Sequence, residues 1–86
     1  MKFPLGQLVA TPGALESFSD SFRTVALNRH MVGDWGDLSD DDKAMNDRAL
    51  ETRDRIHSSY RLGGKKLWII TEHDRSVTTL LLPEEN

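Results

Sequence analysis

Residues 30 to 50, HMVGDWGDLSDDDKAMNDRAL, concentrate the side chains of this chain best suited to chemistry. Aspartates beside glycines suggest oxygen ligands for calcium. A calcium loop of the helix–loop–helix kind needs oxygen donors at positions one, three and five, glycine at six and glutamate at twelve. Counting from Asp34 puts Gly36 third and Leu38 fifth; counting from Asp37 puts Asp42 sixth and Arg48 twelfth. Neither register works, so no metal is expected. The histidines, His30, His57 and His73, form no H-x-x-x-H or H-E-x-x-H spacing, and the chain has no cysteine. They read as helix-end or turn residues. Neither a glycine-rich phosphate loop nor a nucleophile elbow is present, so no cofactor is expected.

The turn His73-Asp74-Arg75-Ser76, taken with Tyr60 and Arg61, is the one catalytic candidate. Such a group could hold a general base and a phosphate-binding cation. The plainer reading is a polar hairpin turn in which Asp74 bonds its own backbone, since hairpin turns are usually polar. Arg61, Lys65, Lys66 and Arg75 beside Trp68 would suit phosphate contact and base stacking. A pI near 5.5 argues against direct nucleic-acid binding, and Trp68 lies in the most apolar run, as a core residue would.

Charge is unevenly placed. Residues 34 to 54 carry eight acids against Lys43, Arg48 and Arg53, a net of −5 within a chain of −3, so the remainder is +2. Asp40, Asp41, Asp47, Glu51 and Asp54 would form an acidic helix face. Closely spaced carboxylates imitate phosphates and attract basic surfaces, which points to a protein partner, including one that itself binds nucleic acid. The alternative is a solvated face that serves solubility.

These residues need elements to position them. Eighty-six residues make a single domain, 1–86, with one modest core, since a chain this short buries only about 60–65% of its unfolded surface. No apolar run approaches a membrane span and no secretory signal is visible, so a cytoplasmic setting is expected. Residues 5 to 11 suit a strand. Thr11-Pro12 then starts a helix, with Leu15, Phe18, Phe22 and Val25 on one face. Ser19-Asp20-Ser21 predicts a break or re-capped second helix. Arg29, His30 and Gly33 suit its end. Ser39 and Asp42 open the next helix, read from Asp40 to His57, with Met45, Ala49 and Ile56 inward and Glu51 pairing with Arg55. Trp35 and Leu38 should plug the corner, with the indole at least half buried. Residues 58 to 72 read as a hairpin across Gly63-Gly64, and residues 76 to 83 as a last strand. The expectation is an α+β fold in β-α-α-β-β-β order: a mainly antiparallel sheet of three to four strands, with two helical segments packed on one face.

"LGQLVATPGAL", "GDWGDL", "SSYRL" and "LWIITEHDRSVTTLLLPEE" together resemble a family of small bacterial proteins of unknown function found on plasmids, conjugative elements and gene cassettes. The resemblance spans nearly the whole chain. It implies a mobile-element, cytoplasmic setting and brings no catalytic residue. In layout, the chain is also similar to RelE/ParE-type toxins, whose compact sheet presents basic and acid–base residues to RNA or blocks a gyrase. That likeness implies roles for Arg61, His73 and Arg75. The chain departs from it in being acidic and lacking a clear basic groove, and topology alone does not establish function.

Overall fold

In the computed structural model, which describes residues 2–86, the local caps form where the sequence places them. Thr11 Oγ1 accepts the Ala14 N–H at 3.2 Å, and Pro12 opens α1 (Pro12–Ser17). Ser19 Oγ accepts the Phe22 N–H at 3.1 Å and starts α2 (Asp20–Met31). This second cap resets the helical phase, so the expected single apolar stripe does not survive. Phe18 is buried and Phe22 partly so, but Leu15 and Val25 are 53% and 57% exposed. Ala14 and Ala26 face inward instead. Gly33, at φ +83°, follows the end of α2 as expected.

Ser39 caps α3 (Asp40–Thr52) through the Asp42 N–H at 3.1 Å. The helix stops five residues short of His57. Arg53 adopts the left-handed conformation at φ +62° and returns its N–H to the Ala49 carbonyl. Ile56 then belongs to a strand, where β-branched side chains pack well. Two further expectations fail: Met45 is 59% exposed, and Arg55 pairs with Glu72 at 3.3 Å rather than with Glu51. Ala49 is buried as expected, and Asn46 with it.

The sheet comprises β1 (Gln7–Ala10), β2 (Ile56–Leu62), β3 (Lys65–Thr71) and β4 (Val77–Leu81), ordered β1-β4-β3-β2. β1 runs parallel to β4 and the other pairs are antiparallel. The fold is therefore α+β with a mixed, mostly antiparallel sheet. Gly63 and Gly64 form a two-residue turn between the paired Leu62 and Lys65. Tyr60, Leu67, Ile69 and Leu80 meet Ala14, Phe18 and Ala26 in the main core. A second core joins Phe3, Trp35, Ala49 and Ile56, with Leu5, Leu38 and Leu50 against it. Trp35 is 3% exposed, so the corner-plug expectation holds. No helix of the described residues is long and apolar enough to cross a membrane.

The GDWGDL segment closes the outer edge of β2. There His57, Ser59 and Arg61 aim backbone groups away from β3. Asn46 meets both groups of His57, donating Nδ2–H to its carbonyl at 2.7 Å and accepting its N–H at 3.2 Å. Ser59 donates to the Trp35 carbonyl at 3.2 Å and accepts the Asp37 N–H at 2.7 Å. The Asp37 carboxylate takes the Arg61 N–H at 2.7 Å. Gly36 lies between the two bridging residues at φ +77°, where an added Cβ would sit 2.0 Å from the Ser59 carbonyl oxygen. Only glycine fits.

A second polar system crosses the core. His30 is fully buried, not a surface helix-end residue. Its Nδ1 lies 2.6 Å from Ser58 Oγ and its Nε2 2.9 Å from Thr71 Oγ1. Thr71 and Thr78 hydroxyls are 2.7 Å apart, and Thr78 donates to the Leu5 carbonyl at 2.8 Å. That carbonyl can only accept, so each proton upstream has one direction. Thr71 donates to Thr78, His30 donates Nε2–H to Thr71, and Ser58 donates to Nδ1. The ring is the neutral Nε2–H tautomer, and burial pushes its pKa down to about 4.

Two outcomes follow from this architecture. The unfolded chain protonates His30 near pH 6.5 and the folded chain only near pH 4, so the unfolded state binds more protons between them. Stability should be full above pH 6.5 and fall by about 3 kcal/mol as pH drops towards 4. His57, lowered in the same direction, adds to the slope. Urea midpoints measured against pH should show this fall, and His30→Gln should lose most of it; equal slopes would refute the assignment. Gly36→Ala should cost more than about 2 kcal/mol from strain and edge displacement together, read in the same unfolding experiment.

Candidate functional site

The eight acids of residues 34–54 separate by what they touch. Asp34 forms a two-pronged pair with Arg29 at 2.7 and 3.1 Å, and that guanidinium holds its carboxyl below the usual range. Asp37 seals the β2 edge. Asp47 accepts the Trp35 indole N–H at 2.9 Å, and Asp54 accepts the Thr52 hydroxyl at 2.8 Å. The carboxylates of Asp40, Asp41, Asp42 and Glu51 have no hydrogen bond or ion pair of 4 Å or less among the described residues, and all four are exposed. At 100° per residue, Asp40, Asp47 and Glu51 fall on one stripe of α3. Of the five acids expected to form a binding face, Asp47 and Asp54 thus also serve the fold, while Asp40, Asp41 and Glu51 do not.

The residues of the catalytic candidate are spread apart. Arg61 pairs with Lys66 near the hairpin tip, whereas His73 and Arg75 follow Thr71 at the other end of β3. Five residue steps of paired strand, roughly 17 Å, separate Lys66 from Thr71. Tyr60 is 1% exposed and donates its hydroxyl to the Asp34 carbonyl at 2.7 Å; burial pushes its pKa up to about 12. Arg75 donates to the carbonyls of Asp54 at 2.7 Å, Ala49 at 2.9 Å and Glu72 at 3.2 Å. It thereby holds the end of α3 against the β3–β4 turn. Asp74 bonds the backbone and hydroxyl of Ser76, as a polar turn would. His73 is exposed.

A different group of side chains converges between α3 and the β2–β3 hairpin. An open groove of about 720 Å³ is walled by Met45 and Arg48 on the helix and by His57, Lys66 and Trp68 on the sheet. This lies within the span of about 300–1,000 Å³ common for ligand sites. Asn46 fixes the backbone of His57, whose ring meets Trp68 at 4.4 Å between centroids and 70° between planes. Trp68 is only half-buried, so the expectation of a core indole is corrected. Its strand alternates: Leu67 and Ile69 face the main core, while Trp68 faces the groove. His57 Nε2 is buried without a hydrogen-bond partner among the described residues. Burial lowers the His57 pKa, Arg55 lowers it further and Asp42 opposes, which favours a neutral ring at neutral pH. Such a groove can receive a planar polar group. Strand alternation, H-S-R on β2 and K-W-I on β3, was the available signal for this grouping.

No family model, no curated protein and no solved structure matches this chain.

Arg75 separates a structural role from a catalytic one. Arg75→Ala should lower stability by about 2 kcal/mol, because carbonyls bonded by a charged donor lose it. Arg75→Lys should recover only part, since an ammonium cannot reproduce the guanidinium fork. Urea unfolding measures both. Purified wild-type protein should not cleave RNA; cleavage abolished by His73→Ala or Arg75→Ala at unchanged stability would make the turn catalytic.

Proposed function

We propose that this chain is a non-enzymatic binding module that docks a basic surface of a partner protein along the exposed flank of α3. The observation that carries this reading is the division of the acids. Four have partners within the fold and four do not, although all eight lie within twenty-one residues. Asp40, Asp41 and Asp42 gain from the positive end of the helix dipole. Glu51 lies in the last turn, where that dipole disfavours negative charge and no basic side chain offsets it. A carboxylate that the helix itself disfavours is better explained by what it meets outside. The motif resemblance supports placing the module as a cytoplasmic accessory protein of a mobile element, whose partner includes nucleic-acid-binding proteins among its candidates.

The test uses a partner recovered by affinity capture from host-cell extract. Asp40→Asn, Asp41→Asn and Glu51→Gln together remove charge without touching a bond within the fold. Wild-type association should slow as salt rises, because screening cuts electrostatic reach to about 8 Å at physiological ionic strength. At low salt the triple variant should associate about tenfold more slowly. Equal on-rates at low salt would overturn the acidic face. Asp47 is excluded from the variant because its loss also frees the Trp35 indole.

A further inference from the structure

We propose that the groove between α3 and the β2–β3 hairpin binds a planar aromatic ring carrying one anionic group, a carboxylate or a phosphate. This site is separate from the outer flank of α3 and stands or falls independently of the docking reading. Three features converge on that chemistry.

The first is an unmet hydrogen-bonding atom. Buried polar atoms of folded proteins are nearly all paired, and an unpaired one costs about 1–3 kcal/mol. His57 Nε2 is buried, faces no partner among the described residues and sits on a backbone that Asn46 holds from both sides. Its ring is held in edge contact with Trp68, 4.4 Å between centroids. A ring heteroatom or exocyclic group entering the groove would complete it.

The second is a pair of soft, flat surfaces on opposite walls. Trp68 presents a partly exposed indole on the sheet side, and Met45, 59% exposed, lies on the helix side. Indole faces stack on aromatic rings, and thioethers pack favourably against them. Exposure of both residues is costly to the free protein and would be relieved by one inserted ring.

The third is a pair of unpaired cations, one on each wall. Of the cations that line the groove, Arg55 pairs with Glu72, whereas Arg48 on the helix and Lys66 on the sheet have no ion pair of 4 Å or less among the described residues. Two such donors can close on one anion from opposite sides. Arg48 supplies the planar fork suited to carboxylate or phosphate, and Lys66 a mobile point charge.

The probes are adenosine 5′-monophosphate and indole-3-carboxylate, with adenosine and indole as their uncharged comparators, titrated into the full chain and followed by NMR. The Trp68 indole N–H and the His57 ring signals should move, while the buried Trp35 indole should not. At least one anion should bind with millimolar or tighter affinity, and its uncharged comparator about tenfold more weakly. Whichever anion binds better assigns the phosphate or carboxylate source. Lys66→Gln and Arg48→Gln, both at exposed positions, should each weaken that anion several-fold with the fold intact. Absence of Trp68 and His57 shifts at about 10 mM of either anion would overturn the proposal. So would equal binding of charged and uncharged probes, or equal shifts at Trp35.

Discussion

β2 leaves the backbone groups of His57, Ser59 and Arg61 facing outward, and leaving them unpaired beneath packed side chains would cost more than most single contacts return. Three separate pieces of chain meet that requirement. A side-chain amide from α3 serves His57, a backbone bridge from the GDWGDL corner serves Ser59, and a carboxylate from the same corner serves Arg61. Because Asn46 must reach β2, α3 runs alongside that strand. Because Trp35 and Asp37 must straddle Ser59, Gly36 passes too close for a side chain. The second core forms as a consequence: the bridge turns the Trp35 indole inward against Phe3, Ala49 and Ile56.

The opposite edge receives no such treatment. β1 is only four residues long, and Leu8 and Val9 remain 51% and 36% exposed. Shortness is itself a way of limiting edge pairing, since four residues offer few outward donors and acceptors. The chain thus protects its long edge with structure and its short edge with brevity. The His30 chain acts between these edges, tying α2 to β2, β3, β4 and the Leu5 carbonyl ahead of β1.

Local signals in the sequence were legible because they act over three or four residues. Thr11, Ser19 and Ser39 each cap the helix they precede, and Gly63-Gly64 turns the hairpin as its composition suggests. The end of α3 was not legible. Arg53 takes a left-handed position that glycine or asparagine usually marks, so no residue type announced the stop. Reading the helix on to His57 then misplaced Ile56 and Met45, and hid His57 from the sheet face. His30 escaped for another reason: its partners are 28 and 41 residues away, and no local pattern encodes them. The groove was half legible, since alternation groups Trp68 with Lys66, but only the three-dimensional course of α3 supplies the opposing wall.

The same accounting governs what the surface is free to do. The acidic segment looked uniform as sequence, yet Asp34, Asp37, Asp47 and Asp54 bond groups that would otherwise be unsatisfied, so the fold fixes their positions, and Asp34 alone of the four meets a cation. Asp40, Asp41 and Glu51 carry charge that no internal group consumes. The groove presents Arg48 and Lys66 instead, and its walls include none of Asp40, Asp41, Asp47 or Glu51. α3 therefore contributes different residues to the outward carboxylates and to one wall of the groove, and the two surfaces are distinct sites on one scaffold.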